Sequence, residues 1–234
     1  MNNNERIISC RQAWEEMNKE LALLFPSSTQ KSKLIRNFTR QIKIGNDETQ
    51  YTVETDLFPK EALQVYTAWN LEDTIQEKHK KKYFSAHRGG NQGDYRKDMK
   101  KKIRNVVECL SQYPNSKRAV ITIPPTHLPS HSSDDDAKCM REIHFYINHR
   151  NDNDDDDHEK DDDDAAAGET LDATVLMRAQ AAEIFPKNIH FIASLMNRVA
   201  QELNVSLGND NEKKKIKVGV LFYVATTLVS VRDD

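Results

Sequence analysis

Cysteine is scarce in this sequence and never closely spaced. The three cysteines, Cys10, Cys109 and Cys139, lie far apart, which excludes a CxxC zinc site and argues against a disulfide framework. A reducing compartment fits that pattern. Long apolar runs are missing too: none approaches the roughly 18 residues of a membrane span, so no membrane partner is expected. The amino terminus, MNNNERIISCRQAWEE, lacks the apolar core of a signal peptide. These absences predict a soluble, intracellular protein, cytoplasmic or nuclear. His127, His131, His144, His149 and His158 show no zinc-binding spacing. The acidic stretch Asp152 to Asp164 contains no DxDxDG loop closed by a glutamate, so no metal is expected.

Charge is plentiful but segregated. The formal net charge is only -3, yet Lys78 to Arg118 is strongly basic and Asp134 to Asp164 strongly acidic. The whole-chain value therefore says nothing about partners, although local charge can. At 234 residues the chain suits one α/β domain spanning 1–234 and is too short for two large ones.

Periodicity divides the chain into alternating elements. Trp14, Met17, Leu21 and Leu24 share one face of a first helix. Between Leu34 and Val53 the pattern predicts a hairpin turning at Gly45-Asn46-Asp47, with Tyr51 and Val53 on the returning strand. Glu61 to Ile75 has helical propensity, Ala86 to Gly93 reads as a loop, and Arg96 to Gln112 is amphipathic, with Met99, Ile103, Val106, Val107 and Leu110 inward. A strand follows from Arg118 to Ile123, stopped by Pro124-Pro125. Cys139 then enters a strand in which Ile143, Phe145 and Ile147 share its face.

The Asp/Asn-rich segment 148–170 reads as a solvated low-complexity insertion, an expanded hairpin connection between two strands. Leu171, Ala173, Val175 and Met177 alternate along the second of them, which delivers Arg178 to its end. A long helix opened by Asn188 runs to Leu203, and Ile216 to Val231 reads as a strand buried on both faces. Helix, turn and strand follow one another closely throughout. That predicts a layered α/β (α+β) fold with a mixed sheet packed by helices.

Several residues could carry chemistry. Cys139 starts one strand and Arg178 ends its neighbour; a guanidinium beside a thiol favours the reactive thiolate. The alternative is a small cysteine packing with Ile143 and Phe145. Arg36, Arg40, Arg88, Lys117, Arg118 and Arg178 supply enough cations to hold a phosphate dianion, each also being ordinary as a solvated surface charge. The basic run Lys78 to Lys82 with Arg96 to Arg104 is the one feature that suits nucleic acid. No aromatic residues interleave with it in the manner of a base-stacking surface, so nucleic acid is not the expected partner.

Three spans, NSKRAVITIP (Asn115 to Pro124), CMREIHFYI (Cys139 to Ile147) and LDATVLMRAQAAEIFPKNIHFIASLMNRVAQEL (Leu171 to Leu203), resemble in order and spacing the central part of thymidylate synthase and the related deoxycytidylate hydroxymethylases. The resemblance covers about a hundred residues, less the acidic insertion. It implies a homodimeric methyltransferase in which Cys139 is the nucleophile that adds to C6 of deoxyuridylate. Arg178 would bind the nucleotide phosphate, Arg118 would be a phosphate-binding arginine lent by a second copy, and Lys117 would stand in for its neighbour. Asn188 matches the amide that bonds the uracil edge, where an aspartate would suit cytosine. Arg36 in RNFT resembles the mobile phosphate-loop arginine of the family, and Tyr83 with Arg88 resembles its YGxxWR segment. The implied one-carbon donor is 5,10-methylenetetrahydrofolate.

The same comparison shows departures. Met140 stands where a histidine follows the nucleophile, and the QRSxD strand end reads Met177-Arg178-Ala179-Gln180-Ala181. One residue is missing before Asn188, and Val229 and Val231 occupy the positions of a ribose-binding histidine and tyrosine. The glutamate of the family's ELLWF segment has no counterpart, and the carboxy-terminal tail that closes over folate has none. A second reading follows from these: a catalytically degenerate member that binds a nucleotide or dimerises without turnover.

Overall fold

The computed structural model describes residues 6–24, 34–88, 93–123, 138–149, 168–208 and 215–230. Its centre is a mixed sheet. The strands are β1 (Ile7–Ile8), β2 (Leu34–Lys43), β3 (Val120–Thr122), β4 (Met140–His149), β5 (Glu169–Met177), β6 (Gln180–Ala181) and β7 (Lys217–Val229). Across the sheet the order is β1-β2-β7-β5-β4-β3, with β6 also pairing β7. β2 and β7 are antiparallel, β7 and β5 parallel, and β5, β4 and β3 antiparallel in turn. The α/β layering and the pairing of β4 with β5 agree with the sequence pattern. Residues 150–167, most of the acidic insertion between these strands, lie outside the described residues.

Helices cover one face. α1 (Cys10–Leu24) packs on β2, α5 (Met99–Gln112) on β3 and β4, and α6 (Phe185–Leu207) on β5 and β7. α2 (Glu48–Tyr51) and α3 (Lys60–Asn70) pack on α6, and α4 (Glu77–Tyr83) packs on α3. Parallel β5 and β7 need a crossover rather than a tight turn, and α6 supplies it. It is buried along nearly its whole length, and Gly208 ends it at φ 64°. A left-handed C-terminal residue of that kind favours glycine. In α5 the buried set is Met99, Ile103, Val106, Val107 and Leu110, the apolar face expected from the sequence.

Two expectations fail. The hairpin over Leu34 to Val53 is a single strand followed by a helical turn. Asp47 accepts from Thr49 N–H at 2.8 Å while the Gln50 side chain accepts from Asp47 N–H, a capping box that turns the chain into α2 instead of back along β2. The last strand is not buried on both faces. Its Val218, Leu221, Tyr223, Ala225 and Leu228 are buried under helices, whereas Val220, Phe222 and Val224 are only half-covered and Thr226 is exposed. Leu176 on β5 is likewise half-covered, and His144 and Tyr146 on β4 are exposed. Among the described residues no helix covers this face, and an apolar strip runs down it.

The predicted helix Glu61 to Ile75 ends at Asn70, and the basic run beyond it forms the separate helix α4. Asn70 explains the break. Its side chain accepts from Tyr95 N–H at 2.7 Å and donates to the Gly93 carbonyl at 3.2 Å, tying the end of α3 to the segment that leads into α5.

Candidate functional site

Of the candidate residues, Cys139, Arg178 and Asn188 gather where β4 begins, β5 ends and α6 starts. Cys139 directly precedes β4, and its carbonyl accepts the Arg178 N–H at 2.7 Å. The antiparallel register fixes this juxtaposition, since Met140 pairs with Met177. Both side chains are half-buried.

Tyr95 closes the site from the helix side. Its hydroxyl accepts from Met140 N–H at 3.3 Å, and its ring stacks on Phe191 of α6 with centroids 5.6 Å apart. Burial, then proximity to Cys139, raises the Tyr95 pKa well above the phenol value, with the Met140 N–H and Arg178 opposing. Tyr223 on β7 is raised for the same first reason, with Tyr95 and Cys139 adding to it. Both phenols are therefore neutral at physiological pH.

Asn188 does not open α6. The helix starts at Phe185 with Pro186 in its first turn, and Asn188 is already inside it and buried. Its Nδ2 donates to Gln180 Oε1 at 2.8 Å, and the Tyr223 hydroxyl donates to the same oxygen at 2.5 Å. Gln180 Nε2 in turn donates to the Ala181 carbonyl at 2.6 Å. Gln180 is thus a buried hub that fixes the Asn188 amide.

The cations divide into distinct groups. Arg36 is exposed and donates to Thr227 Oγ1 at 2.6 Å, while Thr226 Oγ1 donates to the Arg178 carbonyl. Both arginines therefore flank the same end of β7. Arg40 is buried in ion pairs with Glu16 and Glu20 of α1. The Arg88 guanidinium donates to the carbonyls of Leu57 and Tyr83; these two arginines hold the fold together.

Lys117 and Arg118 are exposed, on the turn between α5 and β3. They line an open cleft of about 890 Å³ together with Cys109 and Tyr113. Phe145 N–H donates to the Ala119 carbonyl, which sets Arg118 beside Tyr146 near the far end of β4. At about 3.3 Å per residue, Cys139 is roughly 20 Å away. One chain does not bring these cations to the cysteine.

Tyr83 and Arg88 do not join the site either. Tyr83, the last residue of α4, is buried and contacts Lys82 and Arg88; the tyrosine beside Cys139 is Tyr95. Sequence reasoning missed Tyr95, Gln180 and Tyr223. A local signal was present only for Tyr95, which lies in the short Gly93-Asp94-Tyr95-Arg96 stretch just before the amphipathic α5.

Met140 and Met177 are fully buried around the cysteine. Ala179 and Ala181 bring no polar side chain to the strand end, and Val231 lies outside the described residues. Cys10 is remote and inert, since burial pushes its thiol up to about 12. Among the described residues no group of three or more His, Cys, Asp or Glu is placed to hold a metal, and no helix is long and apolar enough to cross a membrane. The arrangement combines a cysteine, its cross-strand arginine neighbour, two neutral phenols and an oriented amide. No protein-family model matches the chain, and no curated protein matches it significantly.

Proposed function

We propose that Cys139 and Arg178 belong to a pyrimidine deoxynucleotide site of the thymidylate synthase type. The observation that carries this reading is the Arg178 N–H to Cys139 carbonyl bond, which makes an arginine and a cysteine cross-strand neighbours at one strand end. In this reading the Cys139 sulfur adds to C6 of deoxyuridylate, Arg178 and Arg36 hold the phosphate, and Asn188 meets the uracil edge in the orientation Gln180 imposes. 5,10-Methylenetetrahydrofolate would supply the carbon transferred to C5. Among the described residues, the groups gathered at Cys139 match an anion and a pyrimidine edge and offer no platform for a pteridine.

The helix-free sheet face suggests how the remaining cations arrive. A two-fold interface across Val220, Phe222, Val224 and Leu176 would bury the apolar strip and pass Lys117 and Arg118 of one copy toward Cys139 of the other. A homodimer is therefore part of the proposal.

The second reading, nucleotide binding without turnover, is favoured by specific replacements: Met140 after the cysteine, and Ala179 and Ala181 at the strand end. Incubation with 5-fluorodeoxyuridylate and methylenetetrahydrofolate, followed by intact-mass measurement, separates the two. A covalent adduct that disappears in Cys139→Ser supports the enzyme. Saturable deoxyuridylate binding without adduct supports the degenerate member, and absence of both removes the site.

A further inference from the structure

Residues 77–104 contain eleven Lys and Arg against three Asp and Glu, a net charge of +8. Along the sequence the aromatic residues of this span are Tyr83, Phe84 and Tyr95; in the fold, Trp69 of α3 joins them. Lys80 of α4 stands over the Trp69 ring at 4.3 Å from its centroid, and the Arg96 guanidinium stands over the same ring at 3.9 Å. Phe84 meets Trp69 edge-on at 5.2 Å, and Lys82 lies over Tyr83 at 4.7 Å.

Trp69 therefore joins two basic elements that the sequence separates. α4 carries exposed Lys78, Lys81 and Lys82; the segment into α5 carries exposed Lys97, Lys100, Lys101 and Arg104. Several of the carboxylates nearby are already engaged. Asp73 pairs with Arg198 at 2.9 Å and with Lys100 at 3.9 Å, and Glu72 accepts the Lys100 N–H at 3.0 Å. Glu61 lies near Lys82, and Asp98 near Lys102.

We propose that α4, Trp69, Arg96 and the first turns of α5 form a binding surface for single-stranded nucleic acid, independent of the Cys139 site. The lysines neutralise successive phosphates, which supplies most of the affinity for such ligands. The Arg96 guanidinium, 3.9 Å from the Trp69 ring centroid, is a planar cation beside an aromatic ring against which a base can stack. Duplex is disfavoured: α4 has seven residues, about 10 Å of helix, too little to lie along a groove. A membrane surface is disfavoured because the large exposed hydrophobic residues, Ile7, Leu23, Leu34, Tyr113, Tyr146, Val205 and Leu207, all fall outside 77–104. Insertion beside anionic headgroups would need such an anchor.

The two tryptophans are Trp14 and Trp69, so the full-length Trp14→Phe protein reports on Trp69 alone. It is titrated with a thymidine 20-mer, with heparin and with phosphatidylserine vesicles. The expected result is quenching of Trp69 by the oligonucleotide, with affinity falling about 50-fold between 50 and 200 mM salt for four phosphate contacts. Heparin should compete without quenching, and vesicles should not bind. The triple change Lys80→Glu, Lys81→Glu, Lys82→Glu should weaken oligonucleotide binding at least tenfold, while Lys117→Glu, a charge reversal away from this surface, should not. The proposal is overturned by no oligonucleotide binding, by binding that survives the triple change in a protein with an unaltered circular dichroism melt, or by heparin or vesicles giving the same Trp69 signal.

Discussion

The backbone N–H of Arg178 bonds to the carbonyl of Cys139 at 2.7 Å, so the guanidinium-bearing residue and the thiol-bearing residue are coupled through the main chain. This coupling makes Arg178→Ala a clean probe, because the substitution removes the charge and leaves the N–H in place. Loss of a charge-assisted contact to a phosphate costs about 1.5–3 kcal/mol, so deoxyuridylate affinity measured by calorimetry should fall roughly ten- to a hundredfold. The thermal melt should be nearly unchanged. Binding that is indifferent to Arg178→Ala would remove it from the phosphate site.

Gln180 is the second point of leverage. Its Oε1 takes the hydrogen bonds of both the Tyr223 hydroxyl and the Asn188 amide, all in the buried interior. Gln180→Leu leaves both donors without their acceptor, and each buried unsatisfied group costs about 1–3 kcal/mol. Tyr223→Phe removes one donor and leaves Gln180 bonded to Asn188, a loss of about 1 kcal/mol. Urea unfolding should rank Gln180→Leu well below Tyr223→Phe in stability; equal losses would show that Gln180 is not the hub.

The sequence revealed those parts of this architecture that rest on local periodicity. Alternation at Leu171, Ala173, Val175 and Met177 placed β5 correctly because one face of that strand is buried and the other is not. The α5 stripe was equally visible. Tyr95 and Gln180 were not, since their roles depend on contacts with Met140, Tyr223 and Asn188 from distant elements. Asp47 misled for a different reason: Gly-Asn-Asp is turn chemistry in a hairpin and capping chemistry before a helix, and only tertiary packing decides between them. The valine- and threonine-rich β7 likewise looked buried on both faces, because β-propensity does not say which face has a partner.

His190 makes folding sensitive to mild acid. The ring is 2% exposed, its Nδ1 bonds Thr67 Oγ1 at 2.7 Å, and its Nε2 lies 3.2 Å from Glu48 Oε1. Burial lowers its pKa below the ordinary imidazole value, with Glu48 opposing. Because the folded value lies below the unfolded one, stability is complete above the unfolded pKa of about 6.5. It is lost as pH falls from there through the folded pKa. Glu48 adds a separate acid loss at lower pH. Burial raises its pKa, but the bonds from Gln64 and His190 outweigh this and leave it below the usual glutamate value. Chemical denaturation across pH 7 to 5 should show a decline in the wild type that His190→Gln removes. An unchanged slope in that variant would place the sensitivity elsewhere.

The half-covered strip Val220, Phe222, Val224 and Leu176 gives the dimer a test that does not touch the cysteine. Placing a charge in an interface core leaves it buried without a partner and costs several kcal/mol. The same charge on a solvent-facing sheet surface is nearly neutral. Phe222→Glu should therefore convert a dimer into a monomer in sedimentation velocity while the monomer stays folded. If Lys117 and Arg118 act on the second copy's nucleotide, the monomer should also lose deoxyuridylate affinity by about tenfold or more, one charge-assisted contact being worth about 1.5–3 kcal/mol. A wild type that sediments as a monomer at micromolar concentration would leave these two cations, roughly 20 Å from Cys139 along β4, with no route to the site.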